Sequence, residues 1–418
     1  MTTTAQPPTP ANGLVLLRRP GFARLFAAYL VTYTGNAMAP IAIVFGVLEM
    51  TGSTRDSALV IAAPVAAQIL VILLGGALAD RTSRQHMIVG AEALAGISQG
   101  LAAILFLTGT ATVPLLAALM VVNGTAFALE LPAKTGFVTQ VVDRSELQAA
   151  NALLGAARSA AVTLGAALAG VLVAWLGAGL TLAVDAATFL AASLLIRSIR
   201  ARRQAPTDAA SLLTDLRLGW REFTAHQWLW AIVLQFSILV AALEAVHGLL
   251  GPAVATLQLG GPVAWGFIAA SSGVGTIVGG LLGLRLRVER PMWFASWCVF
   301  FFAAVPLALA IPAPLPAIMG AAFVGGVAGS FFGLLWNTTL QTQVPAHLLS
   351  RVSAYDHLGS IALAPLGIVA GGLLFEAIGA RPTLLIAAAA VIVPTIAVLF
   401  VPDVRGLRAA APHAIRLD

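Results

Sequence analysis

Cysteine, lysine and charge are scarce in this 418-residue chain: there is one Cys, there is one Lys, and Asp, Glu, Lys and Arg together make only 10% of it. The lone Cys298 excludes an intramolecular disulfide or a CxxC redox pair, and beside Trp297 and Phe300 it reads as a small packed side chain. A Walker A loop needs a Gly-Lys pair, but the single lysine, Lys134, follows Ala133, so an ATP-driven pump is excluded. No HExxH, no GxSxG and no Cys/His cluster occurs, so the sequence implies no metal, no cofactor and no enzyme chemistry. Charge at well under the roughly 25% of an average soluble chain also excludes a water-soluble fold.

What is present is apolar surface. The chain is 59% hydrophobic with mean hydropathy +0.95. A spanning helix needs ~20 apolar residues to cross a ~30 Å hydrocarbon core, so this length holds about twelve spans joined by short loops. Apolar runs between polar punctuation predict helices near 22–48, 57–79, 86–108, 113–139, 147–176 and 179–198. A second six are predicted near 227–258, 263–285, 291–311, 314–341, 350–376 and 381–400. The expected fold class is all-α integral membrane, with a six-helix bundle over 22–198, a linker over 199–226 and a second bundle over 227–400. Residues 1–21 and 401–418 are expected to be tails. Met1 to Asn12 lacks the basic start of a signal peptide.

Charge placement orients the spans. With the N-terminus inside, nineteen of the 23 basic residues fall on inside segments, Arg55 and Arg381 fall outside, and Lys134 and Arg158 lie within spans. Both termini are then cytoplasmic and the protein is multi-pass in the plasma membrane. The net charge of +6 is not a nucleic-acid footprint, because the basic residues share no soluble face. In the linker, Leu212, Leu216, Trp220 and Phe223 recur at helical spacing, which predicts an amphipathic helix along the membrane surface.

The halves repeat each other. Thr139-Gln140-Val141-Val142 returns as Thr342-Gln343-Val344-Pro345, and Leu164-Gly165 with Ala169-Gly170 returns as Leu366-Gly367 with Gly371-Gly372. The offsets are 203 (342 − 139) and 202 (366 − 164). Gly75-Gly76 before Arg81 matches Gly279-Gly280 before Arg285. Repeats of this size are how secondary transporters build a site between two bundles.

The loop after the second predicted helix, Gly76-Ala-Leu-Ala-Asp80-Arg81-Thr-Ser-Arg84, resembles the cytoplasmic signature of the major facilitator superfamily, with Ser83 where that signature has Gly. Leu48-Glu-Met-Thr-Gly52-Ser53, Leu147-Gln-Ala-Ala-Asn151-Ala-Leu153, Asp185-Ala-Ala-Thr-Phe189 and Arg351-Val352 narrow the resemblance to the branch with enterobactin exporters and actinobacterial drug efflux proteins. The resemblance implies twelve helices in two pseudo-symmetric bundles, a central cavity lined by helices 1, 4, 7 and 10, and a cytoplasmic gate made by Gly76, Asp80, Arg81 and Arg84. The Gly-Pro-x-x-Gly-Gly element of many antiporters in that superfamily stands here as Gly165-Ala166-Ala-Leu-Ala169-Gly170, without its Pro.

Charges within spans are candidate mechanism residues, since each costs ~2.5–3.5 kcal/mol at a helix centre. Glu130 and Lys134, four apart, share one helical face. Counted at 1.5 Å per residue, Glu130 lies about 13 Å deep and Arg158 about 16 Å, depths that permit pairing. Either these form a structural ion network, or Glu130 is a proton site whose titration changes its hold on Arg158 or Lys134. Glu244 with His247, and Asp356 with His357, are further proton-coupling candidates, of which the resemblance favours Glu244 as the pore residue. Asp185 reads as structural. Tyr33, Asn36, Trp336, Asn337 and Gln341 are candidate solute contacts or interhelical hydrogen-bonding groups. The expected function is export of a hydrophobic or amphipathic small molecule (drug, siderophore or secondary metabolite) by alternating access with proton antiport, the protein acting as a monomer. An uptake facilitator or a lysolipid flippase stays open.

Overall fold

The computed structural model describes residues 13–81, 83–143, 146–201, 212–283, 285–311, 313–345 and 348–408; within these, nothing is said of the side chains of 13–14, 73–81, 148, 212–216 and 350. Regular structure among the described residues is entirely helical.

In the first half, α1 is Pro20–Thr51, α2 is Thr54–Arg81, α3 is Arg84–Leu107 and α4 is Val113–Val141. Next comes one 51-residue run, Leu147–Arg197, of which Ala149–Arg197 is apolar enough to span. Those 49 residues would measure about 74 Å as one straight helix, twice a hydrocarbon core and more. They are broken at Gly177 (φ 78°, ψ 173°), a conformation only glycine adopts readily, which separates α5 (147–176) from α6 (178–197).

The second half opens with α7, Leu212–Ala225, the amphipathic linker helix. Its Trp220 and Phe223 pack on Tyr355, with ring centroids 5.5 and 6.0 Å away. The next span, α8, runs through Gln227–Leu259 but is regular only over Gln227–Ala245; π-helical turns follow at Val246–Leu250 and Ala255–Leu259. Pro252 lacks the N–H that would bond Gly248, and Gly251 N–H reaches back to Val246 O instead. Then come α9, Pro262–Gly283, and α10, Pro291–Ala310, which tightens to a 3₁₀ turn over Phe300–Ala303 just ahead of Pro306. α11 is Leu315–Gln343. The predicted helix 350–376 is two pieces, α12 (Leu349–Ile361) and α13 (Ala364–Ile378), because Pro365 in the first turn of α13 cannot continue the helix before it. α14, Ala380–Leu399, completes the set. Eleven stretches among the described residues are long and apolar enough to cross a membrane, and the break at Gly177 divides one of them, giving twelve spans.

The chain divides into two compact units. One comprises Met1–Gly46 with Ala63–Asp208, the other Val47–Ala62 with Ala209–Asp418. The end of α1 and the start of α2 therefore belong to the second unit.

Each unit has its own core. Phe22, Leu25, Ile88, Phe137 and Ile196 are almost fully buried in the first; Leu229, Ile232, Met292, Val299 and Val391 are in the second. Close helix approach depends on glycine at equivalent places. A Cβ on Gly124 of α4 would strike the backbone of Pro64 in α2, and one on Gly326 of α11 would strike Ser272 of α9. Gly165 of α5 lies against Thr34 of α1 as Gly367 of α13 lies against Ala241 of α8. Both pairs differ by 202 residues (326 − 124; 367 − 165). Small residues let helices in lipid approach until their backbones touch, which is where van der Waals packing in membranes is strongest.

Candidate functional site

The polar heart of the first unit is a buried cluster on α1, α3 and α4. Lys134, 6% exposed, forms an ion pair with Glu130 one turn earlier and a second with Glu92 Oε1 on α3 at 3.0 Å. Glu92 is fully buried, and its other oxygen accepts a 2.8 Å hydrogen bond from the Thr32 hydroxyl of α1. The ammonium also lies over two aromatic faces, 5.4 Å from the Tyr29 centroid and 5.1 Å from that of Tyr33. Two carboxylates thus share one buried lysine. If both were ionised, a net negative charge would remain in this buried cluster.

Arg158 of α5 is exposed and places its guanidinium 5.4 Å from the centroid of Tyr33, so Tyr33 contacts both basic residues. Among the described residues Glu130 meets Lys134 and the Glu92 carboxyl, Glu92 also meets Lys134 and Thr32, and Arg158 contributes a cation–π contact. Asn36, one turn from Thr32 and two from Tyr29 along α1, is half-buried. Asp185 of α6, fully buried, accepts from Thr188 of its own helix through Oδ1 at 3.4 Å, and its Oδ2 has no hydrogen-bond partner among the described residues. Gly35 of α1 provides the room, since a Cβ there would collide with Asp185 and Thr188.

In the second unit an aromatic cavity of about 180 Å³ opens between α8, α11 and α12, lined by Phe236, Phe332, Trp336, Asp356, His357 and Ser360 with flanking aliphatic residues. Phe236 and Phe332 stack at 4.3 Å, and Phe332 stacks in turn on Trp336 at 5.9 Å. The indole Nε1 of Trp336 donates to Asp356 Oδ2 at 2.9 Å, which fixes the carboxylate against the cavity wall. One acid, one imidazole and three aromatic rings suit an apolar body with a basic or hydrogen-bonding end. Trp336, read from the sequence as a solute contact, and Asp356, read as a proton-coupling candidate, thus meet at this wall.

Four other candidates lie apart from that cavity. Glu244 and His247 are exposed on α8, and His247 Nδ1 engages Leu243 O of its own helix at 2.9 Å. Asn337 and Gln341 are exposed on α11, where the Asn337 amide donates to Gly333 O at 2.7 Å. Of the residues for which the resemblance implies a gate, Gly76, Asp80 and Arg81 have side chains outside the described residues. Arg84, first residue of α3, donates to Gly136 O near the end of α4 at 3.2 Å, and Gly136 leaves space for its guanidinium. Neighbouring Gln85 ties the same end of α3 to α6, donating to Ile196 O at 2.9 Å. The residue that sequence reasoning missed is Glu92. Its signal was a lone carboxylate inside the apolar run 86–108, on the face that also carries Ile88, Ala95 and Gln99.

The chain matches the transmembrane secretion effector family over residues 11–413. It is 24% identical over 411 residues to the multidrug efflux pump Tap of Mycolicibacterium fortuitum, covering 93% of this chain and 97% of that protein. It is likewise 24% identical over 418 residues to the enterobactin exporter EntS of Escherichia coli O1:K1 / APEC, covering 97% and 98%. Among solved structures, the nucleoside transporter NupG superposes with a TM-score of 0.72 at 14% identity, over 90% of this chain and 98% of that one. A bacterial homologue of the iron transporter ferroportin, in its inward-facing state, superposes with a TM-score of 0.70 at 16% identity, over 92% and 98%. With twelve apolar spans, the repeated halves and a family match over nearly its whole length, the chain belongs to the transmembrane secretion effector family and is a multi-pass membrane transporter of the major facilitator fold.

Proposed function

We propose that the protein is a secondary active exporter that expels an amphipathic organic molecule in exchange for protons. The observation that carries the coupling half of this reading is the pair Glu92 and Glu130 sharing Lys134. A proton on either carboxylate leaves one acid for one base, a neutral set; its departure leaves an uncompensated charge that favours rearrangement of the helices around it. The aromatic cavity beside Asp356 supports an amphipathic solute over a sugar, whose hydroxyls need more polar partners. Tap is named a multidrug efflux pump and EntS an enterobactin exporter, which supports export of a drug-like or siderophore-like molecule here. The placement of basic residues supports a bacterial inner-membrane protein with both termini cytoplasmic, the spans of 22–198 and 227–400 forming its two halves. We take the monomer as the working unit.

The test is transport in proteoliposomes. A fluorescent amphipathic amine is expected to move when a pH gradient is imposed and to stop when the gradient is collapsed. Glu92→Gln and Glu130→Gln are each expected to lower gradient-driven transport at least tenfold. Transport indifferent to the gradient rejects antiport while leaving the exporter intact, and full coupling in the double variant rejects these two acids as the proton site.

A further inference from the structure

At one end of the second unit, a cleft of about 390 Å³ is lined by Arg290, Arg405 and Arg408 together with Phe400, Pro402 and Gly406. Arg290 caps the start of α10; Arg405 and Arg408 follow α14. Three guanidinium groups in one cleft repel one another unless an anion lies between them. Among the described residues none of the three forms an ion pair with a carboxylate, although Glu289 and Asp403 are adjacent in sequence. Arg405 is pinned: its Nε donates to Leu399 O and its guanidinium lies 5.1 Å from the Phe400 centroid, which leaves its terminal nitrogens to point elsewhere. Five N–H donors on a planar fork match the oxygens of a phosphate.

The wall of this cleft is also the end of an apolar stripe. Ile386, Val393 and Ile396 of α14 and Phe400 at its C-cap recur on one helical face and are 48%, 63%, 45% and 68% exposed. From Phe400 back to Ile386 the stripe runs about 21 Å, more than the ~15 Å of one leaflet's hydrocarbon. A cationic cleft placed where an acyl-length apolar face ends has the layout of a phospholipid: phosphate at the arginines, chains along the helix.

We infer that this cleft is a binding site for an anionic phospholipid, its headgroup phosphate held by Arg290, Arg405 and Arg408 and its acyl chains lying along α14. Under the orientation proposed above the lipid belongs to the cytoplasmic leaflet; the binding measurement below does not depend on that orientation. Zwitterionic lipid has the same chains and phosphate but carries a choline that three arginines repel, so net negative charge is the discriminating feature.

The full chain in detergent is titrated with phosphatidylglycerol or phosphatidylcholine of identical chains, and bound lipid is counted by native mass spectrometry. Phosphatidylglycerol is expected to bind at least tenfold more tightly. Each arginine near an anionic headgroup is worth about fivefold, so Arg290→Gln/Arg405→Gln/Arg408→Gln is expected to weaken phosphatidylglycerol about a hundredfold. Arg217→Gln/Arg221→Gln/Arg287→Gln removes the same charge from exposed positions outside the cleft and is expected to leave binding within twofold. Arg408→Gln alone, at an exposed side chain, tests the site should the triple variant fold poorly. Equal binding of the two lipids, equal loss in both triple variants, or displacement of phosphatidylglycerol by equimolar inorganic phosphate would each overturn the inference.

Discussion

Lys134 is the residue on which the first unit's interior depends. It is the only lysine in the chain, it is buried, and it pairs with two carboxylates. Removing one partner of a buried ion pair leaves uncompensated charge and costs about 3–5 kcal/mol, whereas an apolar replacement of a whole pair is often neutral. Lys134→Met is therefore expected to destabilise the protein by about 3–5 kcal/mol, read as a large fall in thermal midpoint in detergent. Lys134→Met combined with Glu92→Gln and Glu130→Gln should recover most of that loss, because no ionisable group of the triad then remains. A single variant as stable as the wild type would remove the triad from the account. Glu130 and Lys134 were legible as a pair from their spacing, because i and i+4 share a helical face. Their true third member was not, because Glu92 is 38 residues earlier than Glu130 (130 − 92), and only helix packing brings it to the same ammonium.

At the scale of elements, two glycines perform one task in the two halves. Gly177 bends the chain between α5 and α6 at φ 78°, ψ 173°, and Gly379 bends it between α13 and α14 at φ 84°, ψ 172°. They are 202 residues apart (379 − 177), the offset already visible in the Leu-Gly repeat. Open space surrounds both positions, so any penalty for a side chain is one of backbone conformation. Gly177→Ala and Gly379→Ala are each expected to cost about 1–3 kcal/mol, measured as reduced stability on unfolding, with Ala at exposed, helical Gly155 as a near-neutral control. Equal stability in all three variants would contradict this conformational reading. Helix positions were legible from runs of apolar residues; their interruptions at Pro252, Pro306 and Pro365 were not drawn, although proline's missing donor is a local property.

For the whole molecule, the informative segment is Val47–Ala62, which belongs to the second unit while the rest of α1 and α2 belongs to the first. Its ties are modest. The Glu376 carboxylate accepts from Ser53 Oγ at 2.8 Å and from Arg55 N at 2.9 Å at the start of α2, Thr54 Oγ1 donates to Gly372 O at 3.2 Å, and Gly372 leaves room for Ala58. Hydrogen bonds at this partly exposed site contribute about 0.5–1.5 kcal/mol each, less than breaking two long helices would cost. Under the alternating access proposed above, this segment should release during the cycle. In a Cys298→Ser background, a disulfide between Thr54→Cys and Gly372→Cys is expected to arrest transport and a reductant to restore it. Undiminished transport in the oxidised protein would mean that the segment stays attached throughout.

The sequence by itself determined the membrane class, the number of spans and the repeat, because a ~30 Å hydrocarbon core and unsatisfied backbone groups impose their demands span by span, on residues contiguous in the chain. Tertiary structure alone decided which polar groups meet across helices. It joined Glu92 to Lys134, and Trp336 to Asp356, and it left Glu244 and Asn337 at the surface of their unit. Those outcomes depend on helix rotation and close approach at Gly124, Gly165, Gly326 and Gly367, and on distances across helices that no periodicity along one helix encodes.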